Sequence, residues 1–431
     1  MNQKFTKISS GSRWIVIFCL VFAGEIIFSL PFHVARFFRP TLLDVFNLSN
    51  TSLGDILAIY GITAMISYFP GGPIADRFSS RKLLTISLAA TALGGVYFAQ
   101  IPGKLGLSVL FGFWGASTIL FFWAALIKAT QEWGGEFAQG KAFGILDGGR
   151  GLIAAGAATI AVFLLRRLLN TDTENSDMLQ RTEALKMIIY FYTLLTFLSA
   201  ILVWIFIPDS NQGSKSFSKD VFKGIKKVLN NKLVWLQAII VVCSYCGYKG
   251  IDYYSLFSVE VLNMDEVSAA RFVSNASYIR VVAAITAGLL VDRFSASKVI
   301  IYTFLILLIS YIALSILNPI ENGANFILAN LILTFAAVYA LRGIYFALLE
   351  ETKIDRLYKG TAVGLISVIG YTPDVFFNSL AGRILDASPG MKGFHNFYLL
   401  LAGFSSIGLL SALILISLRR KKTGPNHQIT I

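Results

Sequence analysis

Apolar and polar positions alternate along the 431-residue chain in long blocks: hydrophobic runs separated by short clusters of glycine, proline and charge. The runs fall at 14–35, 52–72, 83–101, 106–127, 142–165 and 187–207, and again at 232–256, 268–290, 299–317, 325–349, 360–382 and 394–418. A helix needs about 20 apolar residues to cross a bilayer, so the pattern predicts an all-α membrane protein with twelve transmembrane helices. A polar stretch divides them into two sets of six. This predicts an N-terminal bundle over 1–208, a linker over 209–231 and a C-terminal bundle over 232–431 that ends in a basic tail, Arg419 to Lys422.

Composition narrows the class. The chain is 55% hydrophobic and 13% aromatic with a mean hydropathy of +0.68, and only 14% of it is charged, against about 25% in soluble domains. Disordered chains, secreted disulfide scaffolds and cytosolic enzymes are excluded, and three cysteines (Cys19, Cys243, Cys246) build no disulfide framework. The formal charge of +13 is read as an excess on cytoplasmic loops, not as a nucleic-acid surface. With the N-terminus inside, 23 of the 37 basic residues fall in cytoplasmic segments and ten in external ones, while Arg150, Lys249, Arg280 and Arg342 lie within helices. The asymmetry predicts a multi-pass protein of a bacterial inner membrane or plasma membrane with both termini and the linker cytoplasmic. Lys4, Lys7 and Arg13 precede the first run as they would in a signal peptide. That run is too long, and Glu25 follows where a small-residue cleavage site belongs, so it is read as a retained helix. The external stretch Asn170 to Asp177 reads as a solvated turn.

The chain also repeats itself. Gly72-Pro-Ile-Ala-Asp76-Arg77-Phe78-Ser79-Ser-Arg81-Lys82 recurs as Gly288-Leu-Leu-Val-Asp292-Arg293-Phe294-Ser295-Ala-Ser-Lys298, an offset of 216 residues. Gly140-Lys-Ala142-Phe-Gly144 is echoed by Gly360-Thr-Ala362-Val-Gly364. Two homologous six-helix bundles are implied, the parallel-repeat plan of secondary transporters. The repeated loop is expected to act as a cytoplasmic latch. Gly72 would let helices approach closely, and Asp76 would accept from donors at a neighbouring helix N-terminus and pair with a cation. Gly72, Asp76, Arg77, Arg81, Gly288, Asp292 and Arg293 are therefore the gating candidates.

A Gly-x-x-x-Asp-Arg loop between helices two and three, repeated between eight and nine, resembles the signature of the major facilitator superfamily, and the resemblance covers the whole chain. Within it, Lys232-Leu-Val-Trp235, Tyr248-Lys-Gly-Ile-Asp252-Tyr-Tyr-Ser255, Gly360-Thr-Ala-Val-Gly364 with Gly370-Tyr371, and Asp76-Arg77-x-x-x-Arg81 are similar to the organophosphate:phosphate antiporters. The anion:cation symporters of sugar acids resemble it nearly as well. Departures are specific. The branch's helix-one arginine is replaced by Phe32-His33 with Arg36 a turn later, its helix-seven arginine falls near Gly247 with Lys249 two positions on, and its helix-five histidine aligns with Arg150. The resemblance implies a monomeric secondary transporter, not an enzyme, moving a small organic anion by alternating access against a counter-anion or with a proton. Its partners would be that solute and the lipid bilayer, with no nucleic acid and no cofactor. A proton symporter of a neutral or carboxylate solute, and a non-transporting receptor on the same fold, are the other readings.

Depth selects the candidate site. At 1.5 Å per residue, Arg150 lies about 14 Å beyond Lys141, Glu25 about 18 Å beyond Arg13 and Arg280 about 18 Å from Asp292, all near the centre of a ~30 Å core. An ion there is costly unless it faces water or a partner, which makes it functional by default. In the superfamily helices one, four, seven and ten line the cavity, with five, eight and eleven beside them. This yields Arg36, Lys128, Arg150, Lys249, Asp252, Arg280 and Arg342 as substrate contacts, with Phe121, Phe122, Trp123, Tyr245 and Tyr248 as stacking walls. The competing reading is structural pairing, Asp147 with Arg150 or Lys249 with Asp252. Glu25 and Asp374 are the proton-coupling candidates. A carboxyl among apolar neighbours readily takes a proton, whereas one paired with a guanidinium keeps its charge and favours anion exchange.

Other motifs fail on context. Gly135-Glu-Phe-Ala-Gln-Gly140-Lys141-Ala142 is one residue short of a phosphate-binding loop, and Ala142 lacks the hydroxyl that would hold magnesium. Cys243 and Cys246 lie deep in an apolar helix and read as small core residues. His33, His395 and His427 have no metal-ligand spacing.

Overall fold

The computed structural model describes residues 10–135, 139–169, 178–209, 228–351 and 359–423. The expected external turn at 170–177, residues 210–227 of the linker, Glu136 to Ala138 of the glycine-rich segment and His427 lie outside them. Among the described residues the chain is helical, with no strand. Among the described residues eleven helices are long and apolar enough to span a bilayer: α1 (Arg13–Phe37), α2 (Asn50–Arg77), α4 (Lys104–Gly134), α5 (Lys141–Leu168), α6 (Met178–Phe206), α7 (Lys232–Glu260), α8 (Glu266–Arg293), α9 (Ala296–Leu314), α10 (Ala324–Ala347), α11 (Ala362–Ala387) and α12 (Met391–Arg419). A further helix, α3 (Ser80–Phe98), less apolar, with Ser, Thr and Gly among its buried residues, completes the expected twelve. Helix starts are set by local chemistry. Ser49 accepts from Ser52 N, Asn231 from Leu233 N and Asp265 from Ser268 N, each satisfying an amide that the first turn leaves unpaired.

Contacts group the chain into two units. The first takes Met1–Lys215, Asp252–Val281 and Asp374–Ala387; the second takes Ser216–Ile251, Val282–Pro373 and Ser388–Ile431. In the first, α1 packs on α5 and α6, α2 on α4, and α3 on α6. Leu20, Leu84, Leu88, Phe122, Leu126 and Leu146 form its core. Small residues permit that packing, since a Cβ on Gly149 of α5 would stand 2.6 Å from Val21 of α1. In the second unit α12 packs on α7 and α9, and Val234, Ala238, Val241 and Ile366 are buried together. Side chains such as Phe69, Leu93, Leu105, Tyr302 and Ile309 remain exposed, as a lipid-facing surface requires.

Segments from both halves of the sequence meet within the first unit, at the end that carries the α1–α2 turn. Gly54 and Gly61 of α2 lie directly against the backbone of Asn378 and Asp374, and Gly382 of α11 against that of Asn50. Arg383 pairs with Asp55 at 2.8 Å, Asp386 accepts from the amides of Asn50 and Thr51, and Thr41 donates to Glu266. The buried guanidinium of Arg39 stacks 3.9 Å above the Tyr253 ring.

Four helices are irregular partway along. α1 widens into a π turn at Ser29–His33 and α4 at Ser117–Trp123, while α7 tightens at Ile251–Tyr253 and α10 at Tyr345–Ala347. Irregular backbone at membrane depth is tolerated where it is buried in protein or lines a cavity.

Candidate functional site

Five ionisable side chains from α1, α5 and α8 meet in the first unit. Glu25 is 3% exposed. Its Oε2 accepts from Arg150 Nε at 3.0 Å, and its Oε1 lies 3.2 Å from His33 Nε2 and 3.7 Å from Arg280 Nη1. Arg280 in turn donates from Nη2 to Asp147 Oδ1 at 3.0 Å. Two guanidinia thus balance two carboxylates, one deeply buried and one, Asp147, with its side chain about half exposed at 49%. The pairing differs from the expected Asp147–Arg150 contact. Asp147 and Arg150 lie on the same stretch of α5, but each turns to a different helix.

Local backbone chemistry assembles this cluster. Residues 25 and 33 of a regular helix would be about 12 Å apart along the axis. The turn at 27–28 and the π segment around Pro31, which has no amide to give to the ladder, bring the His33 ring back to Glu25. Glycines leave room for the arginines: a Cβ on Gly151 would stand 2.9 Å from Arg280 Cδ, and one on Gly24 3.4 Å from Arg150 Cδ. Arg150 commits only its Nε to protein. No acceptor among the described residues engages its two terminal nitrogens, and its side chain is 12% exposed. The guanidinium lies 5.6 Å from the Trp123 ring and 5.8 Å from the Phe28 ring. A bidentate donor flanked by two aromatic faces results.

A second buried pair lies in the same unit. Arg36 Nε donates to Asp252 Oδ1 at 2.5 Å, and Ser255 Oγ donates to the Arg36 carbonyl at 2.8 Å. Arg36 and Asp252 are 216 residues apart, the offset of the repeated loop, so the pair joins equivalent positions of the two halves.

The remaining candidates stand elsewhere. Lys128 Nζ donates to the Ala75 carbonyl at 2.6 Å, at the end of α2 next to Asp76. Asp374 opens the helical stretch Pro373–Ala387, its backbone against Gly61. In the second unit, Arg342 stacks 3.7 Å above Tyr248, and Lys249 Nζ and Arg342 Cζ each lie 5.6 Å from Tyr245. Tyr339 and Tyr371 extend that aromatic group. Cys243 and Cys246 are buried free thiols. His395 Nε2 meets the Leu317 carbonyl at 3.2 Å. No three metal-binding side chains gather among the described residues.

The latch loops correct one expectation. A Cβ on Gly72 or Gly288 would meet nothing within 4 Å, so neither glycine seats a neighbouring helix in this conformation. Asp76, Arg77, Asp292 and Arg293 are exposed, and Asp76 has no hydrogen bond or ion pair among the described residues. Arg81 is engaged instead, donating to Asp209 at 2.6 Å and lying 4.8 Å from the Trp204 ring.

Comparison with known proteins agrees with this architecture. The model of the Major Facilitator Superfamily matches residues 14–377. The chain is 27% identical to the Escherichia coli inner membrane protein YqcE over 425 residues, covering 96% of this chain and 97% of that one. It is also 27% identical to the E. coli inner membrane protein YihN over 423 residues, 95% and 97% of the two chains. A bacterial homologue of the human lysosomal transporter Spinster, in an inward-facing unoccupied conformation, superposes with a TM-score of 0.71 at 12% identity, covering 99% of this chain and all of that one. The fold is that of a multi-pass transporter, not an enzyme. The chain belongs to the Major Facilitator Superfamily.

Proposed function

We propose that this protein is a secondary transporter of a small organic anion, a sugar phosphate or sugar acid, exchanged across the membrane by alternating access. The observation that carries the reading is the free fork of Arg150. Glu25 holds the guanidinium by Nε, which leaves two parallel N–H groups for a phosphate or carboxylate, and Trp123 and Phe28 offer faces for the apolar side of a sugar ring. Arg280 is the second contact. Its bond to the half-exposed Asp147 is one that an incoming anion can replace. Lys249 and Arg342, backed by tyrosines, are the corresponding candidates of the second unit, and Arg36 with Asp252 is a buried pair beside the path. The resemblance to organophosphate antiporters supports the same substrate class.

Exchange is favoured over proton symport because the Glu25 carboxylate already has its counter-charges in Arg150 and Arg280. His33 against Glu25 is the feature that supports symport, with the proton carried between imidazole and carboxyl, and Asp374 is the second proton-coupling candidate. The exposed Asp76 and Asp292 loops are proposed as latches that engage in another state of the cycle. Uptake into vesicles reconstituted with the protein tests the function. Labelled sugar phosphates and sugar acids should accumulate intact and neutral sugars should not. Binding without accumulation would make the protein a receptor.

A further inference from the structure

We propose that the groove between α5 and α8 is a binding site for an anionic phospholipid, whose phosphate is gripped by Arg166 and Arg271. A cavity of about 270 Å³ opens between the two helices. Its floor is a polar rung in which Thr159 Oγ1 lies 3.1 Å from both Ser274 Oγ and Tyr278 Oη. Arg166 stands seven residues beyond Thr159, and Arg271 three residues before Ser274 and seven before Tyr278, so both lie toward the helix ends from that rung, and both line the same cavity. Neither has a hydrogen bond or ion pair among the described residues, and both are exposed. Asn275 adds an exposed amide to the same wall. Val162 and Phe163 line the cavity below the arginines, and Phe163 and Ile160 are 61% and 52% exposed on the surface that faces lipid.

This layering matches a phospholipid. Each guanidinium can offer a two-pronged donor fork and one charge to a phosphodiester, and the apolar wall beneath them suits an acyl chain. Two cations with no counter-charge among the described residues select a headgroup with net negative charge, phosphatidylglycerol, over a zwitterionic one whose amine would be repelled. A free phosphate would leave the Val162 and Phe163 wall unused. An occupant at this place would bear on α5 and α8, which also carry Arg150 and Arg280, so lipid composition is expected to influence the transport cycle.

Thermal unfolding of the purified protein in detergent, titrated with dioleoyl phosphatidylglycerol, dioleoyl phosphatidylcholine or inorganic phosphate, tests the site. A saturable upward shift of Tm is expected with phosphatidylglycerol and not with the other two. In Arg166→Gln/Arg271→Gln half-saturation should require at least ~tenfold more lipid, the loss expected for one or more charge-assisted bonds. Arg167→Gln/Lys392→Gln, which removes two exposed cations outside the groove, should respond like wild type. Phe163→Ala, a substitution at an exposed side chain, should also weaken the response and serves if the double arginine variant does not fold. An unchanged titration in both groove variants would overturn the proposal. So would an equal shift with inorganic phosphate, which would assign the arginines to a free anion.

Discussion

Glu25 fixes Arg150 by Nε and leaves its terminal fork open, and the proposed function assigns that fork to substrate. Replacing it separates charge from geometry. Arg150→Lys keeps the cation but loses the fork, and should weaken anion binding by about 1–3 kcal/mol, measured by calorimetric titration of the purified protein. Unchanged affinity in that variant would mean that the residue serves only to neutralise Glu25. Gly151→Ala approaches the site from the other arginine. Its Cβ would press on Arg280 Cδ from 2.9 Å, a flexible stem that can give way, so the fold should survive while affinity falls by up to ~tenfold, the effect of displacing one partner by about 1.4 kcal/mol. A loss of folded protein, read by size-exclusion chromatography, would contradict that account. Depth alone singled out Glu25, Arg150 and Arg280, because burying charge at the midplane is too costly to be incidental. Depth could not tell who pairs with whom. Asp147 turned to Arg280, and His33 reached Glu25, because rotation about α5 and the widened turn of α1 set those directions. Pro31 was the one visible sign of the latter. Arg36–Asp252 could have been found by adding the repeat offset of 216 to Arg36.

Among the elements, α2 and α11 meet through backbone, with Gly54, Gly61 and Gly382 at the points of contact. No side-chain motion can accommodate a larger residue there. Gly54→Val should push the two helices apart at an overpacking cost of about 1–3 kcal/mol, shifting a closed-to-open ratio roughly 5- to 150-fold. A thiol introduced as Ala381→Cys, at a position fully buried in this conformation, reports the change. Its labelling by a soluble maleimide should accelerate correspondingly in the Gly54→Val background, and the three native cysteines are buried. Equal labelling rates would show that the contact does not limit opening. All the helices were readable as apolar runs, since length and hydropathy are nearly sufficient in a bilayer. The α2–α11 contact was not, because a glycine in sequence does not say which backbone it admits. Gly72 makes the same point in reverse, standing in open space despite its place in a repeated motif.

At the scale of the whole molecule, the proposed orientation and the proposed exchange each make a prediction. Orientation is the first. Single cysteines placed as Lys215→Cys and Asp172→Cys should be labelled by an impermeant reagent from opposite sides of the membrane, and labelling of both from one side would refute the positive-inside assignment. The repeat was legible because its loop is conserved between the halves of one chain, residue for residue at Asp76-Arg77-Phe78-Ser79 and Asp292-Arg293-Phe294-Ser295. The substrate was not legible, since any small anion satisfies a guanidinium fork. Exchange is the second proposal, and counterflow tests it most directly. Vesicles carrying the protein are loaded with unlabelled sugar phosphate or inorganic phosphate, held without a pH gradient or membrane potential, and diluted into labelled sugar phosphate. The wild type should accumulate label transiently above the external concentration, and Arg150→Ala should not. Accumulation that ignored the internal anion and appeared only under an imposed proton gradient would contradict anion exchange and return Glu25 and His33 to the centre of the mechanism.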